Sequence, residues 1–209
     1  MAMQETLYVR SMYAMGDPAK IDAALDGLVR EAPGMLSDNP GYRRFGLFAD
    51  RDLGKIQMSS WWETADARAQ SDTRLRERRM ELLRPFADSV TTDQWEAPSY
   101  TSMPDVPEGA FMRLGRTELD PADAELYVRT FQDFGRAKLE AIDGLVAAAL
   151  FIDRAAGRAA VGTLHRDEAA LASSRAAQSA VRGEALRKAR VSLRSIEEFE
   201  VVMLHRRPS

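Results

Sequence analysis

Three stretches of the chain are apolar almost without interruption: FGLF at 45–48, VAAALFI at 146–152 and EFEVVML at 198–204. A strand with one wet face alternates apolar and polar residues, so near-continuous runs predict strands that need cover on both faces. Elsewhere the period changes. Ile21, Ala24, Leu25 and Leu28 fall on one side of a helix, as do Ala124, Tyr127, Val128 and Phe131. Each of these helices is announced by Asp-Pro-Ala, at 17–19 and 120–122. The Asp can cap and the Pro suits a first helical position.

The same order of elements is written twice. LFADRDLGK at 47–55 reappears as LFIDRAAGR at 150–158, and with this offset of 103 positions 18 of 78 residue pairs between 7–84 and 110–187 are identical. Chance gives about five for residue frequencies typical of proteins. Each copy predicts a first strand (Leu7 to Tyr13; Ala110 to Arg116), a helix, and two strands joined by a turn that Gly54 or Gly157 closes with positive φ. A second helix follows, capped by Thr64 or Asp167 and running to about Arg84 or Ala189. The last strands are expected near Val90 to Glu96 and Ile196 to Leu204.

The fold class is therefore α+β: two ferredoxin-like βαββαβ repeats, 1–97 and 109–209, joined by a Pro-rich linker at 98–108. Two helices per copy cover one sheet face. The antiparallel sheets then pack face to face, so the second copy acts as a built-in partner that closes a barrel within one chain.

Composition narrows the function. The chain has 209 residues, 45% of them hydrophobic and 29% charged, and a net charge of -3, so it lacks the basic excess that nucleic acid requires. The Arg-rich segment 74–84 is interleaved with Glu77 and Glu81, the pattern of a solvated helix face. The sequence contains no cysteine and only two histidines, which argues against thiolate chemistry and histidine-bound metals. No leader pattern or membrane span is evident, so a cytoplasmic protein without a membrane partner is expected. Gly-rich phosphate loops are missing too, and the expected cofactor is none.

The segment NPGYRRFGLFADRDLGKIQMSSWWETADA at 39–67 resembles the dimeric α+β barrel superfamily, in particular its antibiotic biosynthesis monooxygenase type. The resemblance implies a small-molecule protein, with a cofactor-independent oxygenase of an aromatic or polyketide-like substrate as the leading reading. A non-catalytic ligand-binding or stress-associated barrel with a filled interior is the alternative, and haem binding through His165 is a second one. The His that many members carry nine residues after the strand-three Trp is replaced here by Ser71 and Ser174. The strand-one Asn of haem degraders is also missing, with Arg10 and Arg113 the nearest polar residues.

Arg10 and Arg113 occupy equivalent mid-strand positions and share faces with Tyr8 and Phe111. If those faces line one cavity, two guanidinium groups meet a substrate carboxylate or enolate there. Otherwise each is balanced by a carboxylate, with Glu63 and Glu200 the expected partners. His165, which replaces Trp62 in the second copy, is the candidate general base. Tyr8, Trp62 and Phe111 are expected to hold a flat ring. The expected partners are a small aromatic molecule and a second copy of the tandem chain.

Overall fold

A computed structural model describes residues 5–101 and 106–207. Eight strands form a closed antiparallel barrel in the order β1-β3-β2-β8-β5-β7-β6-β4. They are β1 (Leu7–Gly16), β2 (Tyr42–Asp50), β3 (Lys55–Trp62), β4 (Ala87–Tyr100), β5 (Phe111–Glu118), β6 (Leu145–Asp153), β7 (Arg158–His165) and β8 (Ser192–Arg206). The helices are α1 (Ile21–Ser37), α2 (Ala65–Leu83), α3 (Ala124–Thr130), α4 (Arg136–Glu140), α5 (Glu168–Ser173) and α6 (Arg175–Ala189). A π-helical turn at Phe131–Gly135 joins α3 to α4. Among the described residues no helix is long and apolar enough to cross a membrane.

The local signals explain the elements. Asp17 and Asp120 accept from the amides of Ala19 and Ala122, and Thr64 and Asp167 accept from those of Ala67 and Ala170. Gly54 and Gly157 sit at φ 60° and 61°, where a side chain is strained. Their amide-carbonyl neighbours are equally matched: Gly16 N donates to Gly54 O, and Leu119 N to Gly157 O.

The chain divides into two compact units. One comprises Trp95–Phe199 with Glu5 and Thr6, and the other Leu7–Gln94 with residues 200–207. Thus β4 begins in one unit and ends in the other, while β8 does the reverse. Both strands are longer than the sequence suggests, because their ends find ladder partners: Ser99 pairs with Leu150, and Arg44 with Arg206. The expected linker is consequently strand as far as Tyr100, and its residues 102–105 lie outside the described ones.

In the N-terminal unit, Ile21, Leu25 and Leu28 of α1 pack with Met12, Leu47, Ile56, Met58 and Trp62 of the sheet. In the C-terminal unit, Tyr127, Val128 and Phe131 pack with Ala148, Leu150, Ile152 and Ala159. The second helix of that unit is interrupted at Ser174, whose hydroxyl donates back to Leu171 O at 2.7 Å, as that of Ser71 does to Arg68 O within the unbroken α2.

Candidate functional site

Antiparallel register fixes which side chains share a face. Arg10 lies opposite Ser60, Tyr8 opposite Trp62 and Met12 opposite Met58. In the other unit Arg113 lies opposite Thr163, Phe111 opposite His165 and Gly115 opposite Val161. In each unit this face meets that unit's helices.

The two arginines are buried and held alike. Arg10 donates to Ser71 Oγ at 3.0 Å and Arg68 O at 3.1 Å; Arg113 donates to Ser174 Oγ at 3.0 Å and Leu171 O at 2.8 Å. Each of these partners stands 103 positions from its counterpart. The serines at the positions expected to carry His are therefore the seats of the strand-one arginines. Arg10 and Arg113 each bind a helix of their own unit rather than converging on one shared cavity.

Their counter-ions were not the expected Glu63 and Glu200, which pair with Arg43 and Arg51. Arg10 is paired with Asp72 on α2 at 3.3 Å, and Arg113 with Glu198 on β8 at 2.7 Å. A carboxylate one turn or one strand away reaches a buried guanidinium by geometry that a linear sequence does not display. Burial, then Arg79, lowers Arg10 to about 10 against the pull of Asp72. Asp72 is pushed up by burial, but hydrogen bonds from Arg76 and Arg79 outweigh this and hold it below its ordinary value.

Each unit has a cavity between sheet and helices. In the N-terminal unit about 40 Å3 is bounded by Arg10, Met12, Phe45, Met58, Leu75 and Arg79, among others. In the C-terminal unit about 60 Å3 is bounded by Arg113, Gly115, Tyr127, Thr163, Gln178 and Arg182 together with apolar side chains of α6 and β8. The difference follows from the repeat. Met12, Ala32, Phe45 and Met58, which bound the N-terminal cavity, are replaced by the smaller Gly115, Gly135, Ala148 and Val161, while Tyr127 and Phe131 return some bulk from the helix. Gly135 ends the π-helical turn, and such turns recur at functional sites.

His165 is fully buried at the end of β7. Its Nε2 lies 2.9 Å from Gln178 Nε2 and 3.2 Å from Thr163 Oγ1. Because the Gln178 amide donates, Nε2 accepts and the ring proton sits on Nδ1, which has no partner among the described residues. Burial, and secondarily the charge of Arg113, lowers His165 to about 4 despite Glu198. The imidazole stands behind Thr163 and Gln178, which themselves face the cavity. The equivalent trio in the N-terminal unit is Trp62, Ser60 and Leu75, where Trp62 Nε1 donates to Ser60 Oγ at 3.1 Å.

Of the residues expected from sequence, Arg113 bounds the C-terminal cavity and Arg10 the N-terminal one. Tyr8, Trp62 and Phe111 bound neither. Trp62 is fully buried in the core, edge-on to Tyr42 with ring centroids 5.7 Å apart, and Arg10 lies over it. Gln178, Thr163, Arg182, Asp72 and Glu198 were not singled out. The repeat alignment carried a signal for two of them, since Leu75 becomes Gln178 and Asp72 becomes Arg175.

No family model matches the chain. Solved structures do. A candidate monooxygenase from Lactobacillus acidophilus superposes with a TM-score of 0.73 at 11% identity, covering 97% of both chains. The fold is that of the dimeric α+β barrels. An anthrone oxidase-like protein superposes on this tandem barrel with a TM-score of 0.70 at 11% identity, over 99% of this chain and 95% of the other. A haem-binding protein from Thermus thermophilus gives 0.57 at 10% identity, over 95% and 92%. Among sequences, the uncharacterized Mycobacterium tuberculosis protein Rv2558 is 25% identical over 202 residues, 96% of this chain and 86% of the relative. The barrel is thus shared with oxygenase-like and haem-binding proteins alike.

The site residues do not fit a haem. Neither nitrogen of His165 opens onto the cavity, Nε2 is already hydrogen-bonded, and both positions expected to carry an axial His are serines that hold arginines.

Proposed function

We propose that the tandem barrel is a small-molecule protein whose working site is the C-terminal cavity, and that it oxidises an acidic aromatic compound, a phenol or enolisable anthrone, with O2 and no bound cofactor, the ring lying across the solvent-open mouth of the cavity with only its edge in the inner space of about 60 Å3. The observation that carries this reading is the replacement of Met12 and Met58 by Gly115 and Val161, which leaves an apolar cavity facing Arg113, Thr163 and Gln178.

In such a reaction the substrate supplies the electrons. A ring CH2 gives up both hydrogens, one oxygen atom becomes the carbonyl, and the other leaves with both hydrogens as water. The protein need only favour the substrate anion, which reduces O2 more readily than the neutral form. Arg113 and Arg182 supply positive charge at the cavity wall. Tyr127, pushed up to about 12 by burial despite its hydrogen bond with Thr117, stays a neutral phenol. His165 accepts from Gln178 and so orients that amide; it is a positioning residue in this scheme.

Oxygen uptake with a panel of anthrones and naphthols tests the reading. Uptake above autoxidation is expected for at least one compound, and uptake no faster than buffer across the panel overturns it. One observation favours a second reading, ligand binding without turnover. The imidazole expected as base is shielded and held near a pKa of 4, a weak base behind the cavity wall. Saturable binding of the same compounds without uptake selects that reading.

A further inference from the structure

The two units contain the same pair of arginines at the cavity wall, with different companions. Arg79 and Arg182 are equivalent positions, as are Arg10 and Arg113. In the N-terminal unit a single carboxylate joins the pair: Asp72 Oδ1 lies 3.3 Å from Arg10 and 2.5 Å from Arg79. In the C-terminal unit the position of Asp72 is Arg175, so the carboxylate is missing from the helix and a third cation takes its place. Glu198 answers Arg113 and Arg175, at 2.7 and 2.8 Å. Arg182 is left with a 3.3 Å hydrogen bond to Ser179 Oγ of its own helix and no carboxylate among the described residues.

The charged groups acting on this wall are Arg113, Arg175 and Arg182 against Glu198, with Glu168 reaching Arg175. The balance is cationic. Burial and the charge of Arg113 both disfavour a charged Arg182, and an anion beside it would relieve both.

We infer that the C-terminal cavity takes a ligand bearing a carboxylate, which bridges Arg113 and Arg182 as Asp72 bridges Arg10 and Arg79, with its apolar body against Phe131, Val161, Val181 and Ile196. This rests on the reading of that cavity as the ligand site and adds the substrate class. A bare carboxylate is the chemistry the molecule uses between the equivalent arginines of the N-terminal unit, Arg10 and Arg79, and the apolar wall selects an aryl or alkyl acid over a sugar acid.

The test compares benzoate with benzamide, which share shape and differ in charge, using the amide resonances of Gly115 and Gly135 as reporters at the cavity wall. In the parent protein benzoate is expected to bind at least about tenfold more tightly, the worth of one charge-assisted hydrogen bond. Arg182→Gln should bring the ratio close to one. Arg175→Asp, at an exposed position, returns the carboxylate of the N-terminal unit and should also abolish the preference by occupying the place itself.

Equal binding of benzoate and benzamide, or a preference that survives Arg175→Asp in a folded protein, overturns the inference and leaves the cavity reading intact. Failure of both compounds to shift either glycine overturns the two together. The ratio is read without turnover, so a protein that prefers benzoate yet consumes no oxygen keeps this inference and loses the oxygenase reading.

Discussion

The substitution Gly115→Met puts back into the C-terminal unit the side chain that the N-terminal unit has at Met12. A Cβ at Gly115 meets nothing closer than 4.0 Å, and its two nearest atoms belong to Leu193 and Val161 of the cavity wall. Filling about 60 Å3 at ~24 cal/mol per Å3 returns about 1.4 kcal/mol. Removing a glycine from a strand adds roughly 0.5–1 kcal/mol. Ordering the long side chain costs up to ~2 kcal/mol. The sum is close to zero, so the variant should unfold within about 3 °C of the parent while losing benzoate binding and any oxygen uptake. Calorimetric unfolding and titration on the same preparation check both. Retained binding would show that ligands go elsewhere. A loss beyond about 3 kcal/mol would show that the space is not there to fill.

The mirror substitution Met12→Gly should cost about 3–5 kcal/mol in urea unfolding, because it enlarges a cavity inside a packed core, and should confer no ligand binding on the N-terminal unit. Asp72→Asn leaves the buried Arg10 and its neighbour Arg79 without their common counter-ion and should cost about 3 kcal/mol, measured the same way. His165 contributes a pH dependence of definite sign. The unfolded imidazole takes up a proton near 6.5 and the folded one at about 4, so the unfolded state binds more protons between these values. Stability is full above 6.5 and falls as pH drops through that window; in His165→Gln the part of the slope between 6.5 and about 4 that the imidazole contributes should vanish, which thermal unfolding at a series of pH values would read.

The strand and helix order was legible because its signals are local: Asp-Pro starts, paired glycine turns, and a 103-residue offset that holds through 78 positions without a gap. The continuous apolar runs pointed to the closed barrel unevenly: 45–48 is buried throughout, whereas in 198–204 only Phe199 is fully buried. The site was legible only in part. Arg10 and Arg113 stood out as charges inside strands, and both do face cavities. Their carboxylates did not stand out, because Asp72 is one acidic residue in a helix full of charge and Glu198 lies 85 positions from Arg113. The choice between one shared cavity and two separate ones turns on which sheet face a strand gives to its helices. Alternation fixes that two faces exist and leaves open which is which.

The inversion from Asp72 to Arg175 has a consequence that only a fused chain permits. In a barrel assembled from two identical polypeptides every substitution appears twice, so a pocket cannot be sealed on one side and opened on the other. Once both copies lie on one polypeptide, the seal and the opening can be inherited separately. One copy can then keep its arginines tied to its own carboxylate, while its twin remains free to vary.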